Sequence, residues 1–506
     1  MNAAPESPAR EAVLAALAAA PPIVGDLGDG APEPTDPPAT SGDSDAAVEA
    51  TPQQPRPLGY DVERLNREYA MVLLGSKAVV YMERADAKLD EQKRFLTIDA
   101  FRAWFANTAT EYCGADGKVK SHSWAAHWIA DRRRRSYKGI EFFPNPDGAP
   151  STPNYLNLWS GFSCAPCAKP NGYAVFRDHL LNNLCAGDQA LYAWVFGFFA
   201  QMVQRPRERI GVAMVIRGRM GSGKTKIGEV IGSLFPRHYF LVDDPRYVTG
   251  QFNAHMASCL LLQADEAVWA GDKAAEGRLK GLVTAPIQQI EAKGVDPVRL
   301  TNYVRLLMTS NEDWVVPAGK DERRFCVLDV DPRCAQDSAY FREMDAELAD
   351  GGREALLHDL STFDLTQVDL RQIPRTAALF EQKVRSFHSI DAWWFDRLQS
   401  GEPTHGLGRW PPEIAKAALV DDYVKHSERI GQKRKASDTE LAMKLRKIVP
   451  ELKDRVGWID AGPDATRRCA MWVLPSLDGC RAAYAESLQQ DVEWPQPLGE
   501  RAAEDG

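Results

Sequence analysis

The chain has 506 residues, with 61 Lys and Arg against 70 Asp and Glu, a formal net charge of −9, 44% hydrophobic and 26% charged residues. This is soluble-globular composition with room for several domains; it excludes collagen-like, coiled-coil and wholly disordered classes, and argues against coating nucleic acid by bulk positive charge. The charge is uneven: residues 1–57 hold nine acids and two bases, a net of −7, leaving only −2 for the rest.

The tail 1–57 is rich in Ala and Pro and has no aromatic residue. It cannot bury enough apolar surface to offset its ordering entropy, so disorder is expected. Ala12–Ala20 has the apolarity of a signal-peptide core, but Glu6 and Glu11 stand where such a peptide needs positive charge, and a cytoplasmic location is expected. Residues 58–205 read as a helical and α+β region. Tyr60–Val72 and Ile98–Tyr112 carry helical apolar spacing, and Ala78–Met82 is β-like. The basic run Asp131–Tyr137 reads either as a solvated helix face or as a contact with nucleic-acid phosphates. Cys164 and Cys167 form one tight pair with His179 and Cys185 downstream. A structural zinc site usually takes two such pairs, so reduced loop thiols are preferred and zinc is the alternative. Asp178–Gln204 reads as one or two buried helices, its apolar part Ala190–Val203 being too short to cross a membrane.

Residues 206–335 carry the chemistry. The β-branched run Val212–Ile216 leads into Gly218-Arg219-Met220-Gly221-Ser222-Gly223-Lys224-Thr225 and then a helical pattern. Strand, glycine-rich turn and helix are the context in which G-x-x-x-x-G-K-T becomes a phosphate-binding loop. The glycines let backbone amides face phosphate oxygens, the helix N-terminus adds partial positive charge, Lys224 reaches the β- and γ-phosphates, and Thr225 can ligate Mg²⁺. A second apolar strand ends in Asp265-Glu266, placing Asp265 to hold Mg²⁺ and Glu266 to polarise an attacking water. A third, Val304–Ser310, ends in Asn311, either a γ-phosphate-reading amide or a turn former. Arg323 and Arg324 precede the strand Cys326–Val330; they read as a finger for a neighbouring subunit's ATP, with Arg324 beside Phe325 preferred of the two, or as a surface ion pair with Asp321 or Glu322. Between the second and third strands, alternating Ile287, Gln289, Glu291 and Lys293 run into a Lys-Gly turn, which predicts a hairpin with Lys293 at its tip, placed to touch a DNA phosphate backbone. Cys259 and Cys326 lie in or beside apolar runs and read as small core residues.

In order, the loop Gly218–Thr225, the pair Asp265-Glu266, Lys293-Gly294, Asn311 and Arg323/Arg324 resemble superfamily 3 helicases, a class of AAA+ ATPases of viruses, phages and plasmids. Tyr155–Phe162 and Met308–Asn311 resemble, more narrowly, the helicase module of phage primase-helicases and primase-polymerases. The resemblance implies an α/β fold with an AAA+ P-loop NTPase core, a parallel sheet between helices. It implies a homo-hexameric ring in a bacterial host's cytoplasm that uses ATP and Mg²⁺ to move along single-stranded or forked DNA, 3′→5′ being typical of the class. The segment Leu58–Pro150 is too short for a primase domain, so any primase or polymerase is expected on a separate polypeptide.

Residues 336–411 read as a helical lid and linker, 412–490 as a winged-helix-like domain, and 491–506 as a tail. Helical patterns at Ile414–Glu428 and Asp438–Ile448 are followed by Gly457–Asp460 and the strand Arg468–Leu474. Arg429–Lys447 carries seven bases against two acids, and Arg434, Lys435, Arg467 and Arg468 are the expected DNA contacts, a solvated protein-binding face being the alternative. Two other functions stay open: an ATPase that loads or remodels a replication or transposition complex without unwinding, and an ATP-switched DNA-binding initiator.

Overall fold

The computed structural model describes residues 57–495 except 89–90, 115, 249, 251–252, 268–272, 293–294, 321, 433, 450 and 463–464. The acidic tail, the Lys293-Gly294 turn and Asp321 lie outside the described residues.

The chain begins with a small module. The Asp61 side chain caps helix Val62–Glu68 by accepting from the Glu63 amide. The helix expected over Tyr60–Val72 stops there: Tyr69–Leu74 is a strand, paired with Lys77–Glu83 through a tight turn at Gly75-Ser76. A short apolar run fits either period, and the turn beside it decides for the sheet. The helix expected over Ile98–Tyr112 likewise ends at Trp104, and Thr110–Cys113 pairs with Val119–His122. Asp131–Tyr137 is not a helix face. Asp131 accepts from the Arg133 amide and turns the chain, and Ser136–Tyr137 then lies beside Met71 and Val72. Phe101, Phe105, Trp128 and Val62 form this module's own core.

The central layer is a five-stranded sheet of β1 (Ala213–Arg217), β2 (Tyr239–Val242), β3 (Leu261–Asp265), β4 (Arg305–Ser310) and β5 (Phe325–Asp329). The order is β2-β3-β4-β1-β5 and every neighbouring pair is parallel. Continuous apolar runs form it because parallel strands are buried on both faces; Ala213–Ile216 and Leu261, Leu262 and Ala264 are nearly inaccessible. Helix α1 (Lys224–Gly232) follows the glycine loop and lies against β3 and β4. At Gly228 a Cβ would fall 1.8 Å from Gln263 Oε1, so the helix can approach this closely only with glycine there. Helix Gln189–Gln204 is buried, as its all-round apolarity predicts, and packs on Arg353–Thr362. Ile287–Ala292 and Val295–Thr301 form the expected antiparallel hairpin.

The last core belongs to the C-terminal elements. It starts at helix α3 (Ser389–Ser400), whose Trp393 and Trp394 pack with residues of α4 (Lys416–Arg429), α5 (Asp438–Ile448) and α6 (Leu477–Leu488). β6 (Glu413–Ala415), β7 (Lys453–Gly462) and β8 (Ala465–Val473) make an antiparallel sheet in the order β6-β8-β7. Ser437 and Glu440 form a reciprocal cap at the start of α5. Helix α2 (Ala377–Arg385) links this part to the central layer. Its Gln382 accepts from the Val315 and Val316 amides at 2.8 and 3.2 Å, and Arg385 pairs with Asp313 at 2.9 Å. Buried Asp391 on α3 holds both Lys320 (2.7 Å), from the stretch after β4, and Lys444 (3.0 Å), from α5. Among the described residues no helix is long and apolar enough to cross a membrane.

Candidate active site

The parallel sheet directs the ends of β1, β3 and β4 to one edge, and most of the residues singled out in the core motifs meet there. The glycine loop joins β1 to α1, with Gly221 and Gly223 at φ of 78° and 86°. Gly223 is required twice over: its φ lies in the left-handed region, and a Cβ would stand 2.7 Å from the His179 ring. Lys224 opens α1 and is 6% exposed. Its ammonium donates to the Gly218 carbonyl (2.8 Å), the Arg219 carbonyl (2.9 Å) and Asn311 Oδ1 (2.7 Å). Burial pushes the Lys224 ammonium below its ordinary pKa, while Glu266 and Asp265 oppose that shift.

The two acids are held differently. Asp265 accepts from Thr225 Oγ1 at 3.1 Å and from Thr309 Oγ1, fixing a hydroxyl and a carboxylate side by side. Glu266, just past β3, has φ of 54°, rare for a residue with a side chain and costing on the order of 1 kcal/mol. Its carboxylate accepts from the Asn311 amide at 2.7 Å and Ser310 Oγ at 3.1 Å. Asn311 therefore joins two functions: its side chain holds Lys224 and its backbone holds Glu266.

Three supports lie outside the motifs. His179, which the sequence marks only as a neighbour of the cysteine pair, lies fully buried under the loop. Its Nε2 donates to the Gly223 carbonyl (3.3 Å) and its Nδ1 accepts from Asn183 (2.9 Å), whose Oδ1 accepts from Arg333. Burial lowers the His179 pKa, consistent with this neutral, two-bond arrangement. Arg217, the last residue of β1, bonds Asp329 at 2.7 and 2.8 Å and Glu381 of α2 at 2.9 Å. Gln263, inside β3, accepts from Tyr239 Oη at 2.6 Å and donates to the Thr225 carbonyl at 3.2 Å. A charged or amide residue inside an apolar strand run was the available signal for the last two.

The remaining candidates lie elsewhere. Arg323 and Arg324 precede β5, at the opposite edge of the sheet and about 15 Å of strand from the loop. Both amides donate to buried Glu322, at 3.0 and 2.7 Å. The Arg324 side chain also stands 3.8 Å from that carboxylate, whereas Arg323 is exposed. In the C-terminal part, Lys435 pairs with Glu428 at 2.5 Å, Arg434 is 3.9 Å from Glu440, and Arg467 and Arg468 are exposed on β8. Cys164 is half-buried and Cys167 exposed; among the described residues no group of three or more His, Cys, Asp or Glu could hold a metal ion.

A family of unknown function, DUF5906, matches residues 216–324, from β1 to the arginine pair. The DNA primase-polymerase of Nitratiruptor phage NrS-1 is 26% identical over 178 residues, 35% of this chain. Two apo structures of the C-terminal region of NrS-1 superpose with TM-scores of 0.57 and 0.58 at 15% and 14% identity, over 83% of this chain and 99% and 100% of the region. The fold is similar to that of the NrS-1 C-terminal region. The likeness covers the mixed α/β architecture, parallel sheet included. In sequence, the chain spans about a quarter of the length of the primase-polymerase it matches.

Proposed function

We propose that the chain is the ATP-driven motor of a phage or mobile-element DNA replication apparatus, an AAA+ superfamily 3 helicase that assembles as a ring. The observation that carries this reading is the convergence of Lys224, Thr225, Asp265, Glu266 and Asn311 at one sheet edge, bonded to one another at 2.7–3.1 Å. These residues fit ATP with Mg²⁺: an ammonium and loop amides suit phosphate oxygens, and the paired Thr225 hydroxyl and Asp265 carboxylate suit a hard cation. Bound there, the nucleotide and its metal supply a transferable phosphoryl group with its charge clamped.

The protein's own steps follow from the bonds. Lys224 exchanges the Gly218 and Arg219 carbonyls for anionic oxygens, a stronger charge-assisted pairing. Glu266, aimed by the Asn311 amide and Ser310, takes a proton from water. The Asn311 side chain, released or kept by Lys224, reports what that ammonium holds. The arginine pair sits too far along the sheet to serve its own chain's site and suits that of a neighbour, and exposed Arg323 is the better finger of the two. The order α3-β6-α4-α5-β7-β8 supports a winged helix, with α5 and the β7–β8 hairpin facing DNA.

The test is ATP turnover and strand displacement on 3′- and 5′-tailed duplexes, with particle mass measured with and without ATP. Unwinding of one tailed substrate by a multimer is expected. DNA-stimulated turnover with no displacement would instead identify a loading or remodelling ATPase.

A further inference from the structure

The outer half of the β7–β8 hairpin carries an apolar strip that no part of the motor explains. Directly paired residues of an antiparallel ladder point to the same face. The register pairs Asp454 with Trp472, Val456 with Ala470 and Trp458 with Arg468, so these six share one face. At the base of that face Trp472 is buried, and Asp454 holds Lys416 of α4 and, at 2.7 Å, Arg446 of α5. The face is thus the one that looks toward α4 and α5. Beyond that base, about 13 Å from Asp454 at Trp458, the hairpin leaves the helices behind. There Val456 is 56% and Trp458 67% exposed, with exposed Arg468 directly across from the indole.

An exposed tryptophan flanked by a guanidinium matches the surface of a base-stacking platform: the indole offers a flat face, and the arginine offers cation–π or phosphate contact. Charge favours nucleic acid over a protein surface as the occupant. Over the hairpin as a whole bases predominate: Arg467 and Lys453 are exposed on its other face and Lys447 at the end of α5. Of the two acids the register places on the strip's face, Asp454 and Asp460, the first is already neutralised by two cations. Bases inside a duplex stack on each other and present no free face, so an unpaired base is the ready occupant. The terminal pair of a blunt end is the competing one, which a blunt duplex tests.

We infer that Trp458 and Arg468 form a stacking site for an unpaired nucleobase of a DNA tail or junction, set at the outer end of the hairpin. This rests on the proposed DNA-facing role of the C-terminal elements and assigns a ligand class and a residue to it.

The test compares the full-length wild-type chain with Trp458→Ala and Trp458→Phe on labelled tailed and blunt duplexes of equal length. The tailed substrate also carries 2-aminopurine at its first unpaired position. Trp458→Ala should weaken tailed-duplex binding roughly tenfold and leave blunt-duplex binding within about twofold. Trp458→Phe should recover most of the loss, and the wild type should quench the 2-aminopurine strongly where Trp458→Ala does not. Equal losses on both duplexes, or no loss on the tailed one, would overturn the stacking site while leaving DNA binding in place. Failure of the wild-type chain to bind either duplex would overturn the DNA-facing role itself. If Trp458→Ala kept full DNA affinity but lowered the particle mass, the strip would be a contact between copies and the inference would fall. Folding damage in the Ala variant would weaken binding of both duplexes, so it cannot mimic a loss confined to the tailed one.

Discussion

The two edges of the parallel sheet are built on opposite plans. At the carboxyl edge, Lys224, Thr225, Asp265, Glu266 and Asn311 complete one another within a single chain. At the amino edge, Arg323 is exposed, while its neighbour Arg324 lies near the Glu322 carboxylate. One edge holds groups that bond to one another; the other presents an exposed guanidinium at its surface. Under the proposed ring assembly, one copy's amino edge would meet another's carboxyl edge and add Arg323 to the set.

The sharpest way to break this contrast is to disable the carboxyl edge. Lys224→Ala should abolish nucleotide binding and turnover, and Glu266→Gln should cost on the order of a hundredfold or more in turnover while nucleotide binding persists. Equilibrium nucleotide binding measured beside steady-state hydrolysis checks both. Unchanged turnover in Glu266→Gln would remove that residue as the base. The amino edge comes next. Arg323→Ala should lower turnover of the assembled particle on the order of a thousandfold, and Arg324→Ala much less. Mixing Arg323→Ala chains with Glu266→Gln chains should restore part of the activity, because some interfaces then pair an intact site with an intact arginine. Absence of any recovery would place the arginine and the base in one chain and dissolve the contrast.

Two stability measurements sharpen it further. Arg217 ties β1 to β5 and to α2 from a buried position, with both carboxylates half-exposed. Arg217→Met should cost about 3 kcal/mol in denaturant unfolding, less than a fully buried ion pair because water relieves the two acids. His238, just before β2 at the amino edge, donates from Nδ1 to the Ser258 carbonyl and accepts the Ser160 amide at Nε2, both at 2.9 Å, and stacks on Trp159. Burial lowers its pKa to about 3, so the folded state keeps it neutral where the unfolded chain would protonate it. Its contribution is therefore complete above pH ~6.5 and is lost as pH falls from there toward the folded value. At pH 5 this amounts to about 2 kcal/mol. A flatter profile of unfolding free energy against pH in His238→Gln, whose amide can donate and accept in place of the ring, checks it.

Much of this was legible in the sequence, for a physical reason. The loop, the acidic pair and Asn311 are each contiguous with a strand end, and strand ends in a parallel sheet meet at one edge. The Ile287–Thr301 hairpin and the α4–α5–β7–β8 order followed from periodicity and turn residues. What escaped was either ambiguous in period or distant in sequence. Tyr69–Val72 is apolar at every position and fits either period; its pairing with Val79–Met82 makes it a strand. His179 meets Gly223 across 44 residues and Arg217 meets Asp329 across 112, and neither pairing leaves a local pattern. The contrast between Arg323 and Arg324 rests on one buried glutamate, Glu322, whose burial no composition reveals.

Asp391 gives the molecule a shared seat. One carboxylate, 2% exposed, receives an ammonium from the stretch that begins at Asn311 and another from α5. The stretch after β4 and α5 are thus tied to one buried anion, and withdrawing either ammonium changes the charge balance that the other one meets.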